Sequence, residues 1–156
     1  MTATIKGFEP LYIQRIAQLT NKSNQFNLTT LRCSEDDIRA MAGDKNDLCL
    51  CGKLVDKFGD NGIVTVVAGR QQGDVLDLTL WLMSCRVLKR GMEDAMMDTV
   101  VAEAAARGVK TIMGHYYPTA KNAMVREFYA QYDFAKTAED ADGNTEWTLD
   151  IAAYTP

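Results

Sequence analysis

The sequence predicts an α+β domain in which helices flank a central, mostly antiparallel sheet. Three extended, Val- and Leu-rich runs follow one another between residues 47 and 84. Turn sequences at Asp60–Gly62 and at "QQGD" separate these runs, which is the pattern of an antiparallel meander. A long helical pattern then precedes a further strand pattern, so helices and strands alternate along the chain.

The amino-terminal part predicts two helices around an irregular segment. Apolar residues at helical spacing predict a helix over roughly Glu9–Ser23. Residues 24–33 predict an irregular lead into a short strand. Ser34 followed by Asp37 is typical of a capping box, so we expect a short helix over Glu35–Met41.

The carboxy-terminal half predicts two more helices and three strands. An apolar stripe that begins at Met92 and a closing Gly108 predict the best helix of the chain. A strand is expected over Val109–Tyr117, then a helix over Pro118–Gln131 and a final hairpin around "DADGN". The sequence contains no internal repeat or linker, so we expect one domain over residues 1–156.

Composition excludes several classes of protein. The formal net charge of −4 argues against nucleic-acid binding, and no apolar run is long enough to span a membrane. The four cysteines are too few for a disulfide scaffold in a chain of 156 residues, and a single histidine argues against a metal site. Free thiols and the lack of an export signal predict a cytoplasmic location.

Basic residues crowd the predicted start of the helix at residue 92. A strand that leads directly into a helix leaves backbone N–H groups unpaired, and this favours an anion. Gly91 allows close approach of a ligand to the backbone, and Arg86, Lys89 and Arg90 add positive charge. The stretch therefore predicts a phosphate site, with an ordinary basic surface turn as the alternative.

Asn122 and Tyr129 lie seven residues apart, on one face of the predicted helix. A polar anchor followed by a phenol can hold a long, thin ligand, and the hydroxyl could protonate a leaving thiolate as a general acid. The alternative for Tyr129 is a half-buried aromatic residue of the core.

Two motifs resemble those of the GNAT (Gcn5-related N-acetyltransferase) superfamily. Residues 86–91 resemble motif A through Arg86 and Gly91, and residues 122–134 resemble motif B through Asn122, Tyr129 and Phe134. The predicted order of elements is also that of the superfamily. The resemblance implies the GNAT acyl-CoA N-acyltransferase fold.

In this superfamily the loop before the helix binds the pyrophosphate of coenzyme A, and the preceding strand runs along the pantetheine arm. The resemblance thus implies a general acid at Tyr129. The residues that it implies for cofactor binding are Ser84, Arg86, Val87, Leu88, Lys89, Arg90, Gly91, Met92 and Asn122. The chain departs from the pattern where Lys89 replaces a motif A glycine. It also lacks the glutamate that many members use as general base, and Asp77 is the only acid in that strand.

Two further residues are catalytic candidates. Cys85 lies between the strand and the phosphate site, where a thiolate beside Arg86 could be a nucleophile. The alternative is a small buried residue. His115, near the end of its strand, could be a base, with a structural, hydrogen-bonded histidine as the alternative.

A narrower resemblance links the chain to the carboxy-terminal domain of FkbH-like proteins. It rests on "QLTNKSNQFNLTT", "FGDNG", "LMSCRVLKRGMEDA" and "YYPTAKN". Those proteins join a HAD-superfamily domain to a GNAT-like domain, and are associated with glyceryl-acyl carrier protein for methoxymalonyl-type polyketide extender units. No HAD catalytic motif is present here, so the chain is either a free-standing relative or a fragment.

Two functions remain open from the sequence. The first is an acyltransferase that uses acyl-CoA or the phosphopantetheine thioester of an acyl carrier protein, whose acidic surface would suit Arg86, Lys89 and Arg90. The second is a non-catalytic module that docks a carrier protein for a separate HAD enzyme. The fold alone does not choose between them.

Overall fold

The computed structural model describes residues 2–56, 59–84 and 91–155. Within these ranges the elements follow an α+β order, as predicted. They are β1 (Thr2–Lys6), α1 (Ile13–Lys22), α2 (Glu35–Gly43), β2 (Asp47–Asp56), β3 (Gly59–Gln72), β4 (Val75–Met83), α3 (Met92–Ala106), β5 (Thr111–Tyr116), β6 (Ala135–Glu139) and β7 (Thr145–Asp150).

The described strands form one sheet in the order β1-β2-β3-β4-β5-β7-β6. Every neighbouring pair is antiparallel except β4 and β5, which run parallel. A parallel pair needs a crossover connection, which α3 supplies here. The prediction of a mostly antiparallel sheet flanked by helices is therefore confirmed.

The parallel pair β4–β5 opens soon after it begins. Its pairing covers only Val75–Asp77 of β4 with Thr111–Met113 of β5. Further along β4, Thr79 is an extra residue relative to β3, because the register shifts between Leu78 and Leu80. A bulge of this kind bends its strand. The ends of β4 and β5 thus diverge, and we call the space between them the cleft.

The bulge also decides which β4 side chains face each side of the sheet. Leu76 and Trp81, on opposite sides of the bulge, belong to the core cluster that α3 covers. Leu80 and Leu82 belong to the second cluster, with Ile16 of α1. Side chains alternate along a regular strand, so only the extra residue lets Leu76 and Trp81 share a face.

Several local predictions are confirmed. The side chain of Ser34 accepts from the Asp37 N–H at 3.1 Å, and the Asp37 carboxylate accepts from the Ser34 N–H at 2.9 Å. This is the predicted capping box of α2. Helix α3 begins at Met92 and ends near Gly108, whose φ of 80° is the left-handed conformation that a closing glycine provides.

Other predictions were wrong. Strand β1 was not predicted, and the strand expected in residues 24–33 is only an isolated bridge between Asn27 and Leu82. The turn expected at Asp60–Gly62 lies inside β3, because Asp56 already pairs with Gly59. Pairing with a neighbouring strand, which sequence pattern does not specify, decides such boundaries.

The helix expected over Pro118–Gln131 is also absent. Two short 3-10 turns, Ala123–Val125 and Tyr129–Tyr132, replace it. The consecutive residues Phe128 and Tyr129 are both buried, at 3% and 2% exposure. Packing of these rings against the sheet overrides the local helical pattern.

Candidate functional site

Tyr129 occupies the cleft between β4 and β5. Its ring stands where a side chain at Gly114 would lie, since a Cβ built on Gly114 would be 2.5 Å from the ring atoms Cε2 and Cζ. On the β4 side, the ring of Trp81 meets it edge-on, with centroids 6.3 Å apart at 89°. Tyr129 therefore contacts both diverging strands, as a glycine on β5 allows.

Burial raises the pKa of the Tyr129 hydroxyl far above its usual value, and the negative charge of Asp77 raises it further. Desolvation and a nearby negative charge both disfavour the phenolate. The hydroxyl consequently keeps its proton at neutral pH. It is equipped to donate a hydrogen bond or a proton and not to act as a nucleophile.

Trp81 presents a second donor in this region. Its side chain is 1% exposed, and among the described residues its indole Nε1–H has no hydrogen-bond partner. Buried polar atoms nearly always have a partner, so an unpaired one calls for an explanation. An acceptor atom of a bound ligand would satisfy it.

A histidine and an aspartate meet on the other face of the sheet. His115 Nε2 of β5 lies 2.5 Å from Asp77 Oδ1 of β4. The His115 side chain is 18% exposed and that of Asp77 is 44% exposed, so both are reached from outside. They border a cavity of about 370 Å³ lined by Thr29, Leu31, Asp77, Thr79, His115 and Tyr117.

The sequence identified His115 and Asp77 separately but did not pair them. They are 38 residues apart, and only the adjacency of β4 and β5 brings them together. Their common face follows from the pleat of each strand. The predicted strand–helix–strand order of β4, α3 and β5 could have indicated this contact. Such a unit places its two strands side by side in a parallel pair.

The free edge of β4 in the cleft is bonded to the chain itself. Residues 26–29, which we call the bridging segment, join the two diverging strands. The Leu28 N–H donates to the Trp81 carbonyl at 3.0 Å, and the Met83 N–H donates to the Phe26 carbonyl at 2.9 Å. On the other side, the Tyr117 N–H donates to the Leu28 carbonyl at 2.9 Å. The edge of β4 along which we expect the pantetheine arm is therefore already hydrogen-bonded to the bridging segment.

Asn122 holds the bridging segment in place and is fully buried. Its side-chain N–H groups donate to the carbonyls of Asn27 and Tyr117, each at 2.9 Å. Its oxygen accepts from the Thr119 N–H at 2.8 Å and from the Tyr116 hydroxyl at 3.3 Å. These contacts use the main capacity of the amide within the chain. A contact from Asn122 to coenzyme A stays a prediction.

Most of the predicted phosphate site lies outside the described residues, including Cys85, Arg86, Val87, Leu88, Lys89 and Arg90. Its flanks are described. Ser84 follows the end of β4, where its N–H donates to the Val64 carbonyl at 2.7 Å. Gly91 precedes α3 with a φ of 83°, and Met92 is buried at 1% exposure. The left-handed conformation explains why a glycine stands at residue 91.

The described ranges show neither a metal-binding cluster nor a membrane-spanning helix. Residues 2–56, 59–84 and 91–155 contain no group of three His, Cys, Asp or Glu side chains that could hold a metal ion. Within those ranges there is also no helix with the length and apolar character that crossing a bilayer requires.

Solved structures of GNAT acetyltransferases have the same architecture. The ribosomal-protein-S18-alanine N-acetyltransferase from Escherichia coli is similar with a TM-score of 0.72 and 15% identity, covering 96% of this chain and 94% of that chain. A putative GNAT-family acetyltransferase from Desulfovibrio desulfuricans gives 0.75 and 12%, covering 96% and 99%. An aminoglycoside 6'-N-acetyltransferase complexed with coenzyme A gives 0.72 and 13%, covering 95% and 97%.

No protein-family model matches the sequence, and no curated protein matches it. The structural likeness extends over almost the whole described chain, at identities that establish the fold alone. The chain has the GNAT acetyltransferase fold.

Proposed function

We propose that this chain is an acyltransferase that takes its acyl group from a coenzyme A thioester. One observation carries the proposal: Tyr129 lies on one face of the sheet and the Asp77–His115 pair on the other, both beside the point where β4 and β5 diverge. A proton donor and a proton acceptor on opposite sides of an opening suit the two halves of an acyl transfer.

On the donor side, Tyr129 is suited to protonate the leaving thiolate. The raised pKa of Tyr129 keeps its hydroxyl protonated until the leaving thiolate, which is a base, forms beside it. The unpaired Nε1–H of Trp81 fits the carbonyl oxygen of a thioester, on which negative charge develops. We place the phosphates of coenzyme A at residues 86–91, where Arg86, Lys89 and Arg90 supply positive charge.

On the acceptor side, the nucleophile enters the cavity beside His115. His115 removes its proton while the nucleophile attacks the thioester carbonyl. The carbon–sulfur bond breaks, the bond to the acceptor forms, and Tyr129 transfers its proton to the sulfur. His115 then releases the proton that it gained to solvent, and the Tyr129 phenolate takes up a proton from solvent. Both side chains return to their starting states, so the reaction needs no other reactant. Cys85 as an acyl-carrying nucleophile is a second route within the same proposal.

The bridging segment must move away from β4 before the acyl donor can bind along this strand. Its Leu28 N–H and Phe26 carbonyl hold the Trp81 carbonyl and the Met83 N–H that face the cleft. A pantetheine arm along this edge would compete for the same two groups. We therefore propose that donor binding displaces the segment.

A narrower version of the proposal follows the FkbH-like resemblance. The donor would then be the phosphopantetheine thioester of an acyl carrier protein in methoxymalonyl-type biosynthesis, with a HAD-superfamily partner and a cytoplasmic location. Two of the segments that carry this resemblance, "QLTNKSNQFNLTT" and "YYPTAKN", are joined in the fold by the hydrogen bond from Asn122 to Asn27. The alternative to catalysis is a docking module for the carrier protein. The lack of a glutamate in β4, where many members of the superfamily carry their general base, favours this alternative.

The test measures thiol release from acyl-CoA and acyl carrier protein donors with identification of the product. Tyr129→Phe keeps the ring and deletes the donor, so kcat should fall about 10²–10⁴-fold with donor affinity unchanged. Tyr154→Phe is the matched control, because it deletes a phenol hydroxyl that binds Asp98 in the middle of α3. A Tyr129→Phe variant with the wild-type rate would refute the acid role. Donor binding without turnover of any thioester would favour the docking module.

A further inference from the structure

Two of the sequence segments singled out above converge on a pocket that the proposed reaction does not use. It lies where the chain after α1 meets the chain after β5, and its volume is about 310 Å³. The residues that line it are Asn24, Thr30, Arg32, Thr119, Ala120 and Lys121. The Thr30 hydroxyl already donates to the Thr29 carbonyl, but two cations, the Thr119 hydroxyl and one amide still give the pocket the chemistry of an anion site.

Arg32 is held rigidly at this pocket by neutral oxygens. Its guanidinium donates to the carbonyls of Thr20 and Ser23, the latter at 2.9 Å, and to Asn24 Oδ1 at 2.6 Å. These bonds cap the carboxy-terminal end of α1 and use three of the five N–H donors. Among the described residues no carboxylate pairs with Arg32, so its charge and two donors remain for another partner.

The acids nearest in sequence are already engaged. Glu35 and Asp36 pair with Arg39 at 3.2 and 3.0 Å, and the Asp37 carboxylate accepts from the Ser34 N–H. Lys121 also forms no ion pair within the part of the chain that the structure describes. The two cations that line the pocket therefore have no acidic partner among the described residues.

Thr30 adds an independent sign of a specialised site. Its φ of 52° is left-handed, which is rare for a β-branched residue. The conformation is held by the Asn27 side chain, which accepts from the Thr30 N–H at 2.9 Å. Asn27 is itself tied to Asn122, so the pocket's two walls are joined. Unfavourable backbone conformations of this kind concentrate at functional sites.

We propose that this pocket binds the anionic group of a small ligand, a phosphate or a carboxylate, through Arg32 and Lys121. Arg32 supplies planar, pre-oriented donors, and Lys121 supplies a mobile charge. The proposal is separate from the phosphate site at residues 86–91, which lies after β4. It does not depend on whether the chain transfers an acyl group.

The test titrates the full ¹⁵N-labelled chain with inorganic phosphate, and separately with acetate, at constant ionic strength. We expect saturable shifts of the Thr30, Thr119 and Lys121 amides. The phosphate and acetate arms tell which anion is preferred. Lys121→Gln should weaken binding about tenfold, and Arg32→Lys should weaken it as well. Lys22→Gln, which removes the same charge from α1 outside the pocket, should leave binding unchanged.

Three outcomes would overturn the proposal. The first is no saturable shift at these amides with either anion. The second is equal affinity in Lys121→Gln and Lys22→Gln. The third is shifts confined to Gly91 and Met92, which would support the phosphate site of the proposed acyltransferase and leave this pocket without a ligand.

Discussion

The ring of Tyr129 fills the space that any side chain at Gly114 would need. A Cβ at Gly114 would approach three ring atoms to between 2.5 and 2.8 Å, closer than real Cβ atoms come. A glycine on β5 is thus the condition for placing the phenol in the cleft. The two residues are fifteen positions apart, and their contact fixes how closely the turn after β5 packs on the sheet.

Gly114→Ala should destabilise the fold by about 2–3 kcal/mol, because a buried ring and not a flexible chain end must move. Urea denaturation measures the change. Gly43→Ala is the control, since nothing lies within 4 Å of its Cβ position and its backbone is not left-handed. That control should lose no stability and should gain up to about 1 kcal/mol, because Gly43 is the last residue of α2 and alanine favours a helix over glycine. Equal stability of the two variants would contradict the contact.

Asn122→Ala should cost about 3 kcal/mol of unfolding free energy. The substitution leaves the Asn27 and Tyr117 carbonyls and the Thr119 N–H without their partner. Asn144→Ala, which removes a hydrogen bond to Asp140 at an exposed hairpin, should cost less than about 1 kcal/mol. A similar, small loss in both variants would mean that Asn122 does not hold the bridging segment.

Asn27→Ala should increase affinity for coenzyme A by about three- to tenfold if the donor displaces the bridging segment. The Asn27 side chain anchors that segment through the Ser23 carbonyl and the Thr30 N–H. Removing this anchor weakens the form in which the bridging segment occupies the β4 edge. A larger fraction of the protein can then bind coenzyme A, which lowers the apparent Kd. Calorimetric titration measures it.

Ser34→Ala is the control for that experiment. It should cost about 1 kcal/mol by removing the α2 cap, yet leave coenzyme A affinity unchanged. An Asn27→Ala variant that is folded and binds coenzyme A no more tightly than wild type would rule out displacement.

The Asp77–His115 pair should act as a unit in turnover. We expect His115→Gln and Asp77→Asn each to lower kcat/KM by about 10²-fold, and the double variant to lose little more. Groups that perform one role together are not additive. Losses that multiply in the double variant would show that the two residues act separately.

Alkaline pH should weaken the fold through two thiols. Burial raises the pKa of Cys49 to about 12 and that of Cys51 to about 11, from 9.0. Above about pH 9 the unfolded chain releases these protons while the folded chain keeps them, so stability falls as pH rises toward those values. Cys49→Ala should flatten the fall between pH 9 and 11 in urea denaturation. An unchanged slope would contradict the assignment.

Local signals in the sequence determined most of the sheet and its capped helices. Alternating apolar residues placed β2, β3 and β4, and the spacing of Ser34 and Asp37 placed the start of α2. These features depend on residues within a few positions of one another, so pattern and capping chemistry suffice. Tyr129 and His115 were also recognised as candidates from their residue types and positions.

Only the tertiary structure determined which residues those candidate side chains contact. The Asp77–His115 contact, the Tyr129–Gly114 contact and the bridging segment all join residues that are distant in sequence. Their geometry follows from one bulge in β4 and from strand order, which local pattern does not specify. For the same reason the expected helix after Pro118 became two short turns. Burial of neighbouring aromatic rings against the sheet outweighed helix propensity there, because the free energy of packing exceeds the small differences in propensity.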